Sequence, residues 1–199
     1  MPTSSLFVTR LYENDVGDER LLAQLERSCR ILCEDDKAGR AWSRAHGYRG
    51  YTSYASLNDL PARDPSFAAL VRLLDRHVAA FAAECAMDVA RRPRLDSLWV
   101  NLLKPGGSHS GHIHPHSIVS GTFYVAIPAG AGLLKLEDPR LAMMMAAPVR
   151  REDAPEELRT FVYRQPAPGK LFLWESWLRH EVVAGSGRGD RISISFNYS

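Results

Sequence analysis

Histidines are the first residues in this sequence whose spacing suggests chemistry. The chain contains seven, and four of them fall between residues 109 and 116: His109, His112, His114 and His116. Residues two apart on an extended segment point to the same side, so His112 and His114 can present two imidazoles to one ion. A surface cluster of histidines would give the same pattern, and a metal site therefore needs further signals.

A third imidazole and a carboxylate-binding residue follow farther along the chain. His180 begins the apolar segment HEVVAG, and two nearby imidazoles with one distant imidazole suit a divalent first-row metal. Arg191 begins RISISFN, where polar residues alternate with apolar ones. A polar strand face inside a barrel is costly unless it lines a site. Because arginine binds a carboxylate through two parallel hydrogen bonds, Arg191 is a candidate anion-binding residue, and Ser193 can donate to the same group.

Two further polar residues are candidates for the same anion. Segment 120–127 places Ser120, Thr122 and Tyr124 on one face and apolar residues on the other. Tyr124 and Asn101 can each donate a hydrogen bond to a bound acid. Ordinary polar residues facing along a strand would produce the same pattern, and both interpretations stay open.

The amino-acid composition indicates the class of protein. A chain of 199 residues that is 45% hydrophobic and 24% charged is typical of one globular domain. The net charge of +2 is too small to suggest a nucleic-acid partner, and no apolar run approaches the length of a membrane span. We expect a cytoplasmic protein, because the first residues do not resemble a signal peptide. The helical first half is a candidate surface for a homodimer.

The elements that must position these residues divide the chain into two parts. Apolar residues at helical spacing predict helices over 18–36 and from Asp64-Pro65 onward, and residues 39–63 are predicted to be an ordered loop. Alternating patterns then predict short strands at 95–104, 120–128, 132–138, 159–165, 170–176, 180–185 and 191–198. We predict an α+β protein of one domain, 1–199, in which residues 1–94 are mainly a helical elaboration and 95–199 form a β-rich core.

Four segments taken together resemble a bacterial family of 2-oxoglutarate/Fe(II) oxygenases: GGSHSGHIHPHSIVSGTFYV, DPR at 138–140, PGKLFLWESWLRHEV and DRISISFN. The resemblance extends weakly around GYRGYTSYASL. It implies a double-stranded β-helix core of jelly-roll or cupin-like type with N-terminal helices packed on it. It also implies Fe(II) at His112, His114 and His180, and 2-oxoglutarate anchored at Arg191. The implied reaction uses O2 to hydroxylate or otherwise oxidise an unactivated C–H bond of a small molecule or side chain, releasing succinate and CO2.

The sequence departs from the usual pattern at the metal. Most such oxygenases use two histidines and one carboxylate, whereas His114 occupies the carboxylate position here. Either three histidines hold the metal, or Glu137 or Asp138 comes in from another strand. We favour three histidines, because His112 and His114 already share one face and no carboxylate from another strand then has to lie beside them. Trp174 replaces a more usual phenylalanine, which we interpret as a packing change.

Two other functions compete with this one. A cupin-type dioxygenase or isomerase without 2-oxoglutarate would also suit three histidines, but it would leave Arg191 without a role, and the usual cupin glutamate after the HxH is missing. A non-catalytic binding barrel is the other alternative, and it would fail to bind Fe(II).

Overall fold

The computed structural model describes residues 3–89 and 92–199. Within these residues four helices precede most of the strands: α1 (Glu19–Asp35), α2 (Lys37–Ala45), α3 (Leu60–Arg63) and α4 (Pro65–Glu84). Asp18 caps α1, since its carboxylate accepts hydrogen bonds from the backbone N–H groups of Arg20 and Leu21 at 2.7 and 3.1 Å. Asp64 caps α4 in the same way through Ser66. The two long helices therefore begin where the capping residues predict.

The prediction of a loop over 39–63 was wrong in part. The segment contains most of α2, the short strand β2 (Gly50–Thr52), and α3. Polar contacts hold α2 in place: Asp36 caps it by accepting from the Gly39 N–H, and the buried Ser43 hydroxyl accepts from the Thr52 N–H at 3.2 Å. The buried residues of α2 are Gly39 and Ser43, so its buried side offers no large apolar residues from which a helix would be predicted.

Ten strands form two antiparallel sheets in the described part of the chain. The large sheet has the order β1-β8-β5-β10-β3-β2, and the small sheet has the order β4-β9-β6-β7. The strands not yet given bounds are β1 (Leu11–Asp15), β3 (Leu95–Leu103), β4 (His109–His112), β5 (Val119–Ala126), β6 (Leu134–Glu137), β7 (Phe161–Arg164), β8 (Lys170–Glu175), β9 (His180–Val182) and β10 (Arg191–Tyr198). Both edges of the large sheet, β1 and β2, come from the first 94 residues.

Helices and sheets pack in a way that leaves one face of the large sheet free for a site. Helices α1 and α4 pack with apolar residues of the large sheet into one cluster, which includes Ile192, Ile194 and Phe196 of β10. The other face of β10 carries Arg191, Ser193 and Ser195 into a pocket shared with the small sheet. The predicted fold class, a double-stranded β-helix with N-terminal helices on it, is confirmed. None of the described helices is both long and apolar enough to cross a bilayer.

We predict that Gly121→Ala destabilises the fold. In the middle of β5, an added Cβ would lie 2.6 Å from the backbone oxygen of Phe172 and 2.6 Å from Cζ of Phe196. The Phe172 carbonyl belongs to the adjacent strand β8 and cannot give way cheaply, so we expect a loss of about 1–3 kcal/mol in the free energy of unfolding. Urea denaturation measures this loss, and an unchanged midpoint at an unchanged slope would contradict it.

Candidate active site

Three histidines converge between the two sheets. The metal-ligating nitrogens of His112, His114 and His180 all lie within 4.8 Å of one another. His112 and His180 face each other across the β4–β9 pair. His114 lies just beyond β4, where its backbone N–H donates to Ser176 O at 3.0 Å. The structure thus brings together all three of the predicted metal ligands.

Backbone carbonyls set the tautomers of two of these rings. Nδ1–H of His112 donates to Ser110 O at 2.7 Å, and Nδ1–H of His180 donates to Leu178 O at 2.8 Å. A carbonyl can only accept, so each ring keeps its Nε2 lone pair for a cation, which is how metal-binding histidines are commonly oriented. Nε2 of His114 lies 3.2 Å from Nε2 of His180. Adjacent nitrogens on one first-row ion, with bonds of about 2.1 Å, would lie about 3 Å apart.

The protonation states also suit a metal. Burial, and after it the neighbouring His112, lowers the pKa of His180 to about 3 and that of His114 to about 4. Both rings are therefore neutral near pH 7, and no proton competes with a cation for their lone pairs.

Glu137 and Asp138, the alternative carboxylate ligands, make other contacts. Glu137 Oε2 lies 3.4 Å from Nε of the half-exposed Arg179. Asp138 accepts two hydrogen bonds from the Arg140 guanidinium, at 2.9 and 2.8 Å, and these hydrogen bonds outweigh burial to lower its pKa. Among the described residues, the cluster with metal-binding geometry is His112, His114 and His180.

Arg191 lies in the same pocket as the three histidines. Its side chain is only 4% exposed and donates to Ser193 Oγ at 3.0 Å. Its guanidinium carbon lies 5.0 Å from the ring centre of Tyr124. Nε of Arg191 and the hydroxyl of Tyr124 are buried without a hydrogen-bond partner in the described part of the chain. Within residues 3–89 and 92–199, no carboxylate forms an ion pair with Arg191.

A family model described as "Putative 2OG-Fe(II) oxygenase" matches residues 97–197, which is more than half of the chain. The chain belongs to this family. It is therefore a 2-oxoglutarate- and Fe(II)-dependent oxygenase, and the oxidoreductase activity and cofactors predicted from the sequence are confirmed at the level of the family.

Solved structures agree on the fold. A Pseudomonas putida prolyl-4-hydroxylase superposes with a TM-score of 0.63 at 16% identity, covering 96% of this chain and 92% of the other. The epimerase SnoN, in complex with Fe3+, α-ketoglutarate and nogalamycin RO, gives 0.63 at 16% identity, covering 96% and 78%. HygX from Streptomyces hygroscopicus, with nickel and 2-oxoglutarate bound, gives 0.58 at 17%, covering 96% and 82%. No curated protein matches the sequence closely enough to count as a relative.

Asn101 of the oxygenase lies beside the pocket rather than among the residues that line it. Its side-chain oxygen accepts from Thr52 Oγ1 at 2.9 Å, and its amide donates to Ser195 Oγ at 3.1 Å. These contacts tie β2, β3 and β10 together next to the site. Asn101 thus contacts protein groups, whereas Arg191, Ser193 and Tyr124 line the pocket.

His109 and Trp174 are among the pocket residues of the oxygenase that were not recognised as part of the site from the sequence. His109 lines the pocket and contacts the hydroxyl of Tyr48, a residue from the predicted loop. Trp174, interpreted as a packing change, places its ring centre 4.6 Å from that of His180 and lines the same pocket. Its buried Nε1–H has no hydrogen-bond partner among the described residues. Proximity to the histidine cluster was the available signal for His109; for Tyr48 the sequence offered none.

Proposed function

We propose that His112, His114 and His180 hold Fe(II), and that Arg191, Ser193 and Tyr124 bind 2-oxoglutarate, so that the enzyme oxidises a C–H bond of a small molecule or side chain with release of succinate and CO2. The observation that carries the proposal is Arg191. It is a buried guanidinium without an acidic partner in the described chain, and it shares a pocket with the three histidines.

The energetics of burial support an anion at Arg191. An isolated charge is stable in a protein interior only when it is paired and hydrogen-bonded, and Ser193 supplies only a neutral partner. A carboxylate can accept from the free Nε–H and from the buried Tyr124 hydroxyl as well. A dicarboxylic oxo acid fits this donor set, because one end can pair with Arg191 while the oxo-acid end reaches the metal.

The residues of the site have different roles in the proposed reaction. Bound iron supplies the activation of O2, coupled to the decarboxylation of the oxo acid. His112 and His180 keep their Nε2 lone pairs directed to the ion, because the Ser110 and Leu178 carbonyls hold their Nδ1–H groups. Arg191 and Ser193 orient the oxo acid. Tyr124 and Trp174, both buried, exclude water from the pocket.

An apolar groove supports the assignment of a C–H substrate. Ile113, Pro115, Ile118 and Trp177 line it on one side of His114. Ile113 and Trp177 are each 46% exposed, so that together they present a contiguous apolar surface in this groove. We propose that the substrate approaches the metal along this groove, with its apolar part against these side chains.

Two proteins of similar fold differ in the kind of molecule with which they are described. One is a prolyl-4-hydroxylase, and the structure of another holds nogalamycin RO. We propose a small molecule or a side chain as the substrate of this oxygenase. The net charge of +2 is too small to suggest a nucleic-acid partner. We further propose that the enzyme has no membrane partner and is located in the cytoplasm. We also propose that the chain folds as one domain, with its helical face available for a homodimer.

Anaerobic titration tests the proposal directly. Fe(II) added to the purified protein, followed by 2-oxoglutarate, should produce the visible charge-transfer band of an oxo acid chelated to iron. Admission of O2 should then release succinate. The band requires both the metal site and the oxo-acid site, because neither ligand absorbs there alone.

Each alternative predicts a different result. A cupin-type enzyme that does not use 2-oxoglutarate would bind Fe(II) and show no band. A non-catalytic barrel would bind neither. Either result would refute the proposed assignment of the site.

A further inference from the structure

His109 is an imidazole of the pocket to which the proposed metal and cosubstrate roles assign no task. It lies on β4, three residues before His112, and lines the pocket together with Arg191 and Ser193. An irregularity in the pairing of β4 with β9 falls between His109 and His112. This bulge places the two histidines on the same face, although their odd spacing would put them on opposite faces of a regular strand.

The hydrogen bonds of the ring leave one nitrogen for a ligand. Nε2 of His109 makes a very short contact with the Tyr48 hydroxyl. In the described part of the chain, Nδ1 has no hydrogen-bond partner. The other contact of the Tyr48 hydroxyl is much longer, 3.4 Å to Oδ1 of Asn101, and that oxygen already accepts from Thr52 at 2.9 Å. With the Tyr48 proton placed on the shorter of its two contacts, Nε2 of His109 accepts it and Nδ1 carries the ring proton.

The ring adds a donor without adding a charge. Burial, and then the charge of Arg191, lowers the pKa of His109 to about 3, so the imidazole is neutral near pH 7. Burial also raises the pKa of Tyr48, which keeps its hydroxyl protonated. A neutral Nδ1–H on a residue of the pocket that Arg191 also lines suits an acceptor, whereas the other tautomer would present a lone pair to the anion that Arg191 requires.

We propose that His109 is a further cosubstrate-binding residue: its Nδ1–H donates to the carboxylate that Arg191 binds, and Tyr48 is a positioning residue that holds this tautomer. The proposal rests on the proposed function, since the carboxylate is the far end of 2-oxoglutarate. It predicts that His109 contributes to the affinity for an oxo acid only when that acid has a second carboxylate.

Calorimetric titration of the anaerobic Fe(II)-loaded enzyme with two oxo acids tests this prediction. The acids are 2-oxoglutarate and 2-oxopentanoate, which has a methyl group in place of the far carboxylate. His109→Phe keeps the size of the ring and removes both nitrogens. We expect it to raise the Kd for 2-oxoglutarate about tenfold, as for one hydrogen bond to a charged group, and to leave the Kd for 2-oxopentanoate unchanged.

Two variants separate binding from packing. His109→Asn keeps a donor at the place of Nδ1, and we expect the Kd for 2-oxoglutarate to stay within about threefold of the wild type. Tyr48→Phe should raise the Kd for 2-oxoglutarate about threefold, because the His109 tautomer is no longer held in place. The Kd for 2-oxopentanoate should again be unchanged. Thermal unfolding of each variant verifies that it folds.

Specific results would overturn the inference. If His109→Phe binds 2-oxoglutarate as the wild type does, His109 does not contact the cosubstrate. If His109→Phe weakens the binding of both oxo acids equally, His109 acts through packing. A wild-type enzyme that binds 2-oxoglutarate no better than 2-oxopentanoate would refute the proposed role of Arg191, and the inference with it.

Discussion

We expect Arg191→Met to weaken 2-oxoglutarate binding strongly and at the same time to raise the thermal stability of the protein in the absence of ligand. Both expected results follow from a guanidinium that is 4% exposed and has no acidic partner among the described residues. Removing one member of a buried, hydrogen-bonded charge pair costs about 2–5 kcal/mol, so we expect the Kd for 2-oxoglutarate to rise at least about a hundredfold. Fe(II) binding should be unchanged, because the three imidazoles remain.

We expect the thermal stability of the ligand-free Arg191→Met protein to increase. Without ligand, Arg191 keeps a charge away from water with only Ser193 and the Tyr124 ring as partners. Replacing buried charges with apolar groups of similar volume is often stabilising by about 1–4 kcal/mol. In a chain of this size 1 kcal/mol corresponds to about 2–4 °C in Tm, and we expect an increase of that order.

Arg188→Met is the matched control, because Arg188 is exposed in the bend that precedes β10. It should change neither the Kd nor the Tm. Calorimetry gives the Kd and a thermal melt gives the Tm. An Arg191→Met protein that binds 2-oxoglutarate within threefold of the wild type would exclude Arg191 as the anchor. A lower Tm would show that the guanidinium stabilises the fold even without its anion.

We expect His180→Ala to weaken Fe(II) binding strongly. His180 is 6% exposed and lies opposite His112 in the β4–β9 pair, with its Nε2 3.2 Å from that of His114. Its removal leaves two imidazoles, and we expect the affinity for Fe(II) to fall at least about a hundredfold, beyond the 10–100-fold typical of residues that only orient a ligand. Anaerobic competition with a chromogenic chelator measures the affinity.

The controls for this experiment separate the competing ligand sets. His116→Ala removes an exposed histidine from the same cluster and should leave the affinity for Fe(II) unchanged. Glu137→Gln and Asp138→Asn should have no effect either, because these carboxylates face Arg179 and Arg140. A hundredfold loss in either carboxylate variant would mean that a carboxylate, rather than His114, completes the site.

The polar face of β10 and the capping of the long helices could be predicted from the sequence, because both depend on local geometry. From Ser193 to Asn197 the register of β10 against β3 and β5 is regular. Strict alternation in the sequence therefore carries Ser193 and Ser195 to the pocket and Ile194 to the core. Asp18 and Asp64 cap their helices through neighbours two or three residues away. The HxH pair also needed only the period of an extended chain.

Residues that depend on distant partners were decided by the tertiary structure alone. His109 faces the pocket because β4 contains a bulge against β9, and a bulge depends on pairing with a strand about 70 residues away. Tyr48 reaches His109 from a segment whose helix buries Gly39 and Ser43 rather than large apolar residues. Whether Glu137 or Asp138 was available as a metal ligand depended on which arginine lies beside each carboxylate. By itself the sequence determined which side chains could hold an ion and an acid; strand register and pairing decided which of them meet, because these are set by contacts between residues far apart in the chain.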